Sequence, residues 1–563
     1  MDGPMRTRRH TRQAAGSIAA LTLAVLLLAG NSVPAQQARA SAAAPVPPRL
    51  IVLLVIDQFP VEYIDLYGNQ WTRGLRRLLD GGAVFTEAEY PYAATATCAG
   101  HSTIGTGAYP QRHGMVGNSW YDRELDKSVT CEEDASVEPV VLTAGTTQNR
   151  HSAKYVKIPA LADQLRLQSR TQPNIVSVAE KPRSAIGLGG HGGPGTVVVW
   201  KSSGAVWSTS SAYTKEPWAD VTDFMRRNPI SNAYGSVWTK LLPESSYKFI
   251  DDDPAEPRPA PWGRTFPHTI HSPNGPGDGV FTTAWTRSPW GDAFVVDLAI
   301  HLLRTRQLGR RQDGTDMLAL SLASLDGTGH QYGPRSHEVQ DVLARADVAI
   351  GRLLDALDRE VGVGNYTLGW SADHGVARIP EQVTSEGGQA GRLGSLNGLA
   401  TNLLSWVLGP GKHVGLADGA QLALTPAALE LLRERPEVKA MLVSALAASP
   451  GVVKVFDREQ LSSTEETTDP DLRAWRLSYM RDRSGDFAVV MKPGWIYGTD
   501  GANHGSPNPY DRRVPVLLYG AGVRQGTYTT WASPADLAPT LALLAGITLP
   551  DAQGRVLAEA LGK

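Results

Sequence analysis

Six residues at four distant points of the chain could do chemistry together: Asp57, Asp326 with His330, Asp373 with His374, and His504. Taken singly, an Asp after a hydrophobic run is a turn former and a lone His is a satisfied surface or core residue. Their coincidence is what matters. Three carboxylates gathered without a cation would cost several kcal/mol each. Mixed carboxylate and imidazole ligation suits Zn2+. Six ligands, three per ion, suit two ions that each keep an open position. Two such ions, roughly 4 Å apart, are the usual clamp for in-line displacement at phosphorus.

A nucleophile candidate is Thr97, in Tyr92-Ala-Ala-Thr-Ala-Thr-Cys-Ala-Gly-His101. Small residues leave its hydroxyl approachable. The first N–H groups of a helix lack internal partners and carry partial positive charge, which favours an oxyanion there. A Thr that opens a short helix can equally be a plain N-cap. The local sequence leaves both readings open, and only the six distant residues favour the nucleophile. Cys98 and His101 flank it and read as structural, His101 as a support of the helix.

The elements that must position these groups read as an α/β fold with a mostly parallel central sheet flanked by helices. Leu50–Ile56 is continuously apolar and β-branched, a strand buried on both faces, and it runs into Asp57. Met317–Leu325 ends in Asp326, and Asn365–Ala372 ends in Asp373 and His374. Functional groups in open α/β sheets gather at the carboxyl ends of strands. Asn174–Ala179 and Val514–Gly520 are further strands. Ser336–Val361 carries an amphipathic stripe of Val339, Val342, Leu343, Ala346, Ile350, Leu353, Leu354 and Leu357. Ser533-Pro-Ala-Asp536 is a capping box with Pro at the first helical position.

Residues 1–40 read as a secretory signal peptide: Arg6, Arg8, Arg9 and Arg12, an apolar run over 14–30, then small residues. Residues 41–48 read as an Ala/Pro linker, and 49–563 as one catalytic domain with insertions at about 134–275 and 376–490. The former is expected as a cap over the active face. An exported protein of periplasmic or secreted location follows, with no membrane attachment after cleavage. The formal charge of −2 for the whole chain includes a net +4 within residues 1–40, which leaves about −6 on the rest and no basic face for nucleic acid. Two cysteines, Cys98 and Cys131, suit a disulfide in an oxidising compartment. Exposed acid runs at Glu132–Asp134 and Asp251–Asp253 leave room for added Ca2+ or Mg2+, which nothing indicates.

The order Asp57, Thr97, Asp326-x-x-x-His330, Asp373-His374, His504 resembles the alkaline phosphatase superfamily, which includes the type I phosphodiesterase/nucleotide pyrophosphatases. Asn118 and the Lys181-x-Arg183 pair make the chain similar to bacterial periplasmic phosphatases of the PafA-like branch. The resemblance implies one zinc on Asp57, Asp373 and His374 beside Thr97, and a second on Asp326, His330 and His504 beside the leaving group. It implies that Thr97 forms a phosphothreonine intermediate and that Asn118, Lys181 and Arg183 hold the phosphate. Cys98-Ala99 departs from the Ala-Pro of the best-known members. A monoester carries two negative charges and a diester one, so a Lys/Arg pair suits small-molecule phosphate monoesters. A phosphodiesterase or nucleotide pyrophosphatase on the same fold, and a non-catalytic exported binding protein, are the competing readings.

Overall fold

A computed structural model describes residues 47–259 and 262–562. The expected signal peptide and nearly all of the expected linker lie outside the described residues.

Ten strands make the main sheet. In chain order they are β1 (Leu50–Ile56), β2 (Ala83–Phe85), β3 (Pro139–Val141), β4 (Ile175–Ala179), β5 (Thr196–Lys201), β6 (Trp207–Ser210), β7 (Asp316–Leu322), β8 (Tyr366–Ser371), β9 (Val516–Gly520) and β10 (Gly526–Tyr528). Across the sheet the order is β10-β2-β9-β8-β1-β7-β4-β5-β6-β3. The run from β8 to β5 is parallel throughout. Strand β9 is antiparallel to β8, and β6 is antiparallel to β5.

The unbroken apolar character of β1 has a direct cause. Leu50, Val52, Leu54 and Ile56 enter the core on one face, and Ile51, Leu53 and Val55 enter the core on the other. A strand covered on both sides has no polar position to offer. Register then aligns the strand ends. Ile56 pairs with Leu322, Val55 with Ser371, and Ser321 with Ala179. The residues that follow β1, β4, β7 and β8 therefore emerge along one edge.

Four helices matter to that edge: α1 (Thr97–Thr106), α2 (Pro182–Gly189), α3 (Ser324–Tyr332) and α4 (His337–Glu360). The stripe on α4 packs into the first core as expected, and the Ser336 hydroxyl caps it by accepting from Val339 N–H. The Ser533 capping box is present and opens a short turn into the helix Leu537–Leu544.

Two expectations need correction. Residues 134–275 are not simply a cap, because they supply β3, β4, β5 and β6 of the main sheet. Strand β4 is the one expected at Asn174–Ala179, and the Pro, Gly and Trp content of the region masks the other three. The acid run Glu132–Asp134 is not on the surface at both ends. Glu132 and Asp134 are buried, and Asp134 accepts from the Ser136 and Ser152 hydroxyls at 2.6 Å each.

Residues 376–490 build a second, antiparallel four-stranded sheet with its own helices. Its core includes Leu404, Leu422, Leu424, Leu442 and Val489. Arginines tie it to the segment around Asn118. Arg123 donates to buried Asp486 at 3.0 Å, and Arg483 donates to the carbonyls of Gly114 and Tyr155.

Candidate active site

The six metal-ligand candidates converge as two triads: Asp57, Asp373 and His374, and Asp326, His330 and His504. Within each triad the candidate ligand atoms lie within 4.8 Å of one another. Asp57 and the Asp373-His374 pair leave the ends of adjacent strands β1 and β8. Asp326 and His330 stand one turn apart on α3, so both face the same way. His504 comes from a loop, and it is held there by the segment before Thr97: the Thr95 hydroxyl donates to Ser506 O at 3.1 Å.

The three imidazoles share one device. Each has Nδ1 against a backbone carbonyl: His374 against Gly375 at 3.0 Å, His330 against Ala502 at 2.9 Å, and His504 against Thr95 at 2.8 Å. A carbonyl only accepts, so Nδ1 carries the proton and Nε2 presents its lone pair to the cluster. In the first triad, Asp57 Oδ1, Asp373 Oδ2 and His374 Nε2 are all buried with no hydrogen-bond partner. Buried polar atoms are ordinarily paired. Three orphans of ligating type converging on one point fit a bound cation.

Electrostatics agree. Lys181 Nζ lies between the triads, 2.7 Å from Asp57 Oδ2 and 2.6 Å from Asp326 Oδ2. Burial drives Asp57 well above the ordinary carboxylate range, with repulsion from Asp326 and Asp373 added. Burial acts upward on Asp326 as well, but Lys181 and His330 outweigh it and hold that carboxyl well below its usual value. One ammonium thus faces three buried carboxylates, and a single charge cannot neutralise them all. Asp373 is lowered: burial acts upward, and His374 and His101 outweigh it. Burial lowers His374 and His504, which keeps both imidazoles in the neutral, ligating form.

Thr97 is the first residue of α1, and the cap position belongs to Ala96 in extended conformation. No side chain caps this helix. The Thr97 hydroxyl is therefore not spent on a capping bond. Gly100 lets α1 lie directly on the strand end, since a Cβ there would come within 2.2 Å of Asp373 O. His101 is fully buried and does more than support its helix. Its Nδ1 sits 3.0 Å from Thr97 O and 3.2 Å from Asp373 Oδ2, and its Nε2 lies 2.8 Å from Ser321 Oγ. Its position four residues after Thr97 was the only sequence signal for this contact.

Asn118 precedes a short hairpin. Its side-chain oxygen accepts from Cys98 N–H at 2.9 Å, and its backbone carbonyl accepts from Cys131 N–H at 3.0 Å. Cys98 and Cys131 form a disulfide, so the bridge ties the residue after Thr97 to the strand beside Asn118. Lys181 is the cap residue of α2 and Arg183 lies in its first turn. The Arg183 Nε is buried with no partner among the described residues.

Fold and site together define a metallohydrolase of the alkaline phosphatase superfamily. The family model described as type I phosphodiesterase / nucleotide pyrophosphatase matches residues 51–511, and the chain belongs to that family. Alkaline phosphatase PafA of Elizabethkingia meningoseptica is 31% identical over 538 residues, covering 92% of this chain and 95% of the relative. Alkaline phosphatase PhoV of Synechococcus elongatus is 29% identical over 531 residues, covering 91% and 93%. The crystal structure of wild-type PafA matches with a TM-score of 0.83 at 29% identity, over 92% of this chain and 99% of that one. A further PafA crystal structure carries substitutions at a threonine, an asparagine, a lysine and an arginine.

Proposed function

We propose that this protein is an exported, zinc-dependent alkaline phosphatase that hydrolyses phosphate monoesters through a phosphothreonine on Thr97. The observation that carries the reading is the pair of three-residue ligand sets flanking Lys181, with an uncapped Thr at a helix start beside them. Both triads fit Zn2+: each offers carboxylate oxygen and neutral imidazole nitrogen, and each leaves a position for substrate. Zinc ions bound there supply Lewis acidity at the Thr97 hydroxyl and at the leaving oxygen.

The chain's own residues do the rest. The Thr97 hydroxyl gives up its proton and its oxygen attacks phosphorus in line as the bond from phosphorus to the ester oxygen breaks, so that the alcohol departs carrying a proton, aided by the positive end of α1. With its oxygen engaged by Cys98 N–H, the Asn118 amide turns its NH2 outward to donate to a phosphate oxygen. Lys181 and Arg183 add two positive charges, which match a monoester dianion better than a diester monoanion. Water then cleaves the Thr97–phosphate bond. The residue types altered in the PafA variant, Thr, Asn, Lys and Arg, are those of Thr97, Asn118, Lys181 and Arg183, which supports the assignment. Among the described residues no helix is long and apolar enough to cross a membrane, and the signal-like residues 1–40 support export.

The test is a side-by-side rate comparison of a nitrophenyl monoester and diester on zinc-loaded protein. The monoester should turn over faster, Lys181→Ala with Arg183→Ala should remove most of that preference, and Thr97→Ala should abolish the covalent intermediate while zinc stays bound. Faster diester turnover, unchanged in the Lys/Arg variant, would make the protein a phosphodiesterase. Zinc binding with no hydrolysis of either ester would make it a binding protein.

A further inference from the structure

Gln58 follows Asp57 directly and is completely buried. Its φ is +65°, a left-handed backbone that Gly adopts freely and a long side chain seldom does. Strain of this kind persists where the surroundings enforce it, and it clusters at functional sites. Here the conformation lets one residue reach both triads. The Gln58 backbone N–H donates to Asp373 Oδ1 at 3.1 Å. Its side chain crosses to the other triad, where Nε2 donates to Asp326 Oδ1 at 2.8 Å.

Helix α3 is shaped to admit that side chain. A Cβ at Gly329 would lie 2.0 Å from Gln58 Oε1. Asp326 Oδ1 is also the oxygen that faces His330 Nε2 at 3.2 Å and His504 Nε2 at 4.0 Å. The amide therefore fixes the rotation of the carboxylate that completes this triad. Gln58 Oε1 is buried and has no partner. Turning the amide over would set that oxygen against the Asp326 carboxylate, so its orientation is decided by charge.

We propose that Gln58 is a positioning residue for both metal centres, its backbone N–H setting the Asp373 carboxylate and its side-chain amide setting that of Asp326. The proposal rests on the metal reading above, and it divides the work within one residue. Gln58→Gly keeps the N–H, deletes the amide and relieves the left-handed strain. Gln58→Met also deletes the amide while filling the space. Outer hydrogen-bond partners of metal ligands typically contribute about 10–100-fold in affinity.

The experiment is a zinc titration of parent and both variants in competition with a chromophoric chelator, with thermal melts of the zinc-free proteins alongside. The parent should take up two ions. Each variant should keep one ion at parental affinity and bind the other about 10–100-fold more weakly, and zinc-free Gln58→Gly should melt within a few degrees of the parent. Excess zinc should restore turnover of both variants. Two ions bound at parental affinity by either variant would overturn the proposal, as would equal weakening of both. A parent that takes up no zinc would instead overturn the metal reading, and this proposal with it.

Discussion

The two triads hold the same kinds of donor yet are built differently. Asp57, Asp373 and His374 sit at the ends of two adjacent central strands, and their side chains are fully buried. Asp326 and His330 stand on a helix, His504 on a loop, and the His330 side chain is 23% exposed. The first triad inherits its geometry from the sheet register and is braced by His101. Lys181 donates to both triads, but the second also depends on a side-chain bond reaching it from another segment, that of Gln58. The lesson is that one centre is fixed by the fold and the other is assembled on it.

The largest effect should come from the fixed centre. Asp373→Asn removes the charge from a candidate ligand that His101 faces at 3.2 Å, beside the proposed nucleophile Thr97. We expect a loss of roughly 10³-fold in kcat/KM, about 4 kcal/mol of transition-state stabilisation, with no recovery on adding zinc. Steady-state kinetics across a zinc series measures it. Recovery at high zinc would erase the distinction between the two centres.

An intermediate effect belongs to the assembled centre. His330→Ala leaves Asp326 and His504 in place at the more open position. Turnover should fall steeply at limiting zinc and return substantially with excess zinc, since two candidate ligands, Asp326 and His504, persist. In the parent, a chelator should likewise draw off the two ions in separate phases, and the slower phase should be the one that survives in His330→Ala. Single-phase release would argue that both centres are equally fixed.

This difference also explains what is legible in the sequence. Asp57, Asp373 and His374 stand out because a continuously apolar run ending in an acid is a central parallel strand whose carboxyl end faces the site. Asp326 and His330 show through their one-turn spacing after another such run. Gln58 carries no comparable mark: its contribution lies in a backbone dihedral and in the reach between two strand ends, which exist only after the sheet has formed. The bridging position of Lys181 depends equally on the register of β4 against β7. Strands β3 and β6 escape notice because they are short and lie at the sheet margin, where few residues need be apolar. Thr97 reads as a possible cap only because residue type cannot place a helix boundary within one position, and the structure moves the cap to Ala96.

The smallest effect tests how strongly the fixed centre is braced. Ser321 lies on β7 and touches neither triad directly; its hydroxyl meets His101 Nε2, whose other nitrogen faces Thr97 O and Asp373 Oδ2. Ser321→Ala deletes one buried hydrogen bond, a stability cost of about 1 kcal/mol, visible as a shift of about 1 °C in the Tm of a chain this long. The rate should fall less than about tenfold, because Asp373 Oδ1 keeps the Gln58 N–H and His101 keeps its contact with the Thr97 carbonyl. His101→Ala should cost more than Ser321→Ala, and the double variant should match His101→Ala alone, since the serine acts only through the imidazole. Additive losses would mean that Ser321 reaches the site by a second route, and the fixed centre would then owe its geometry to more than the ends of β1 and β8.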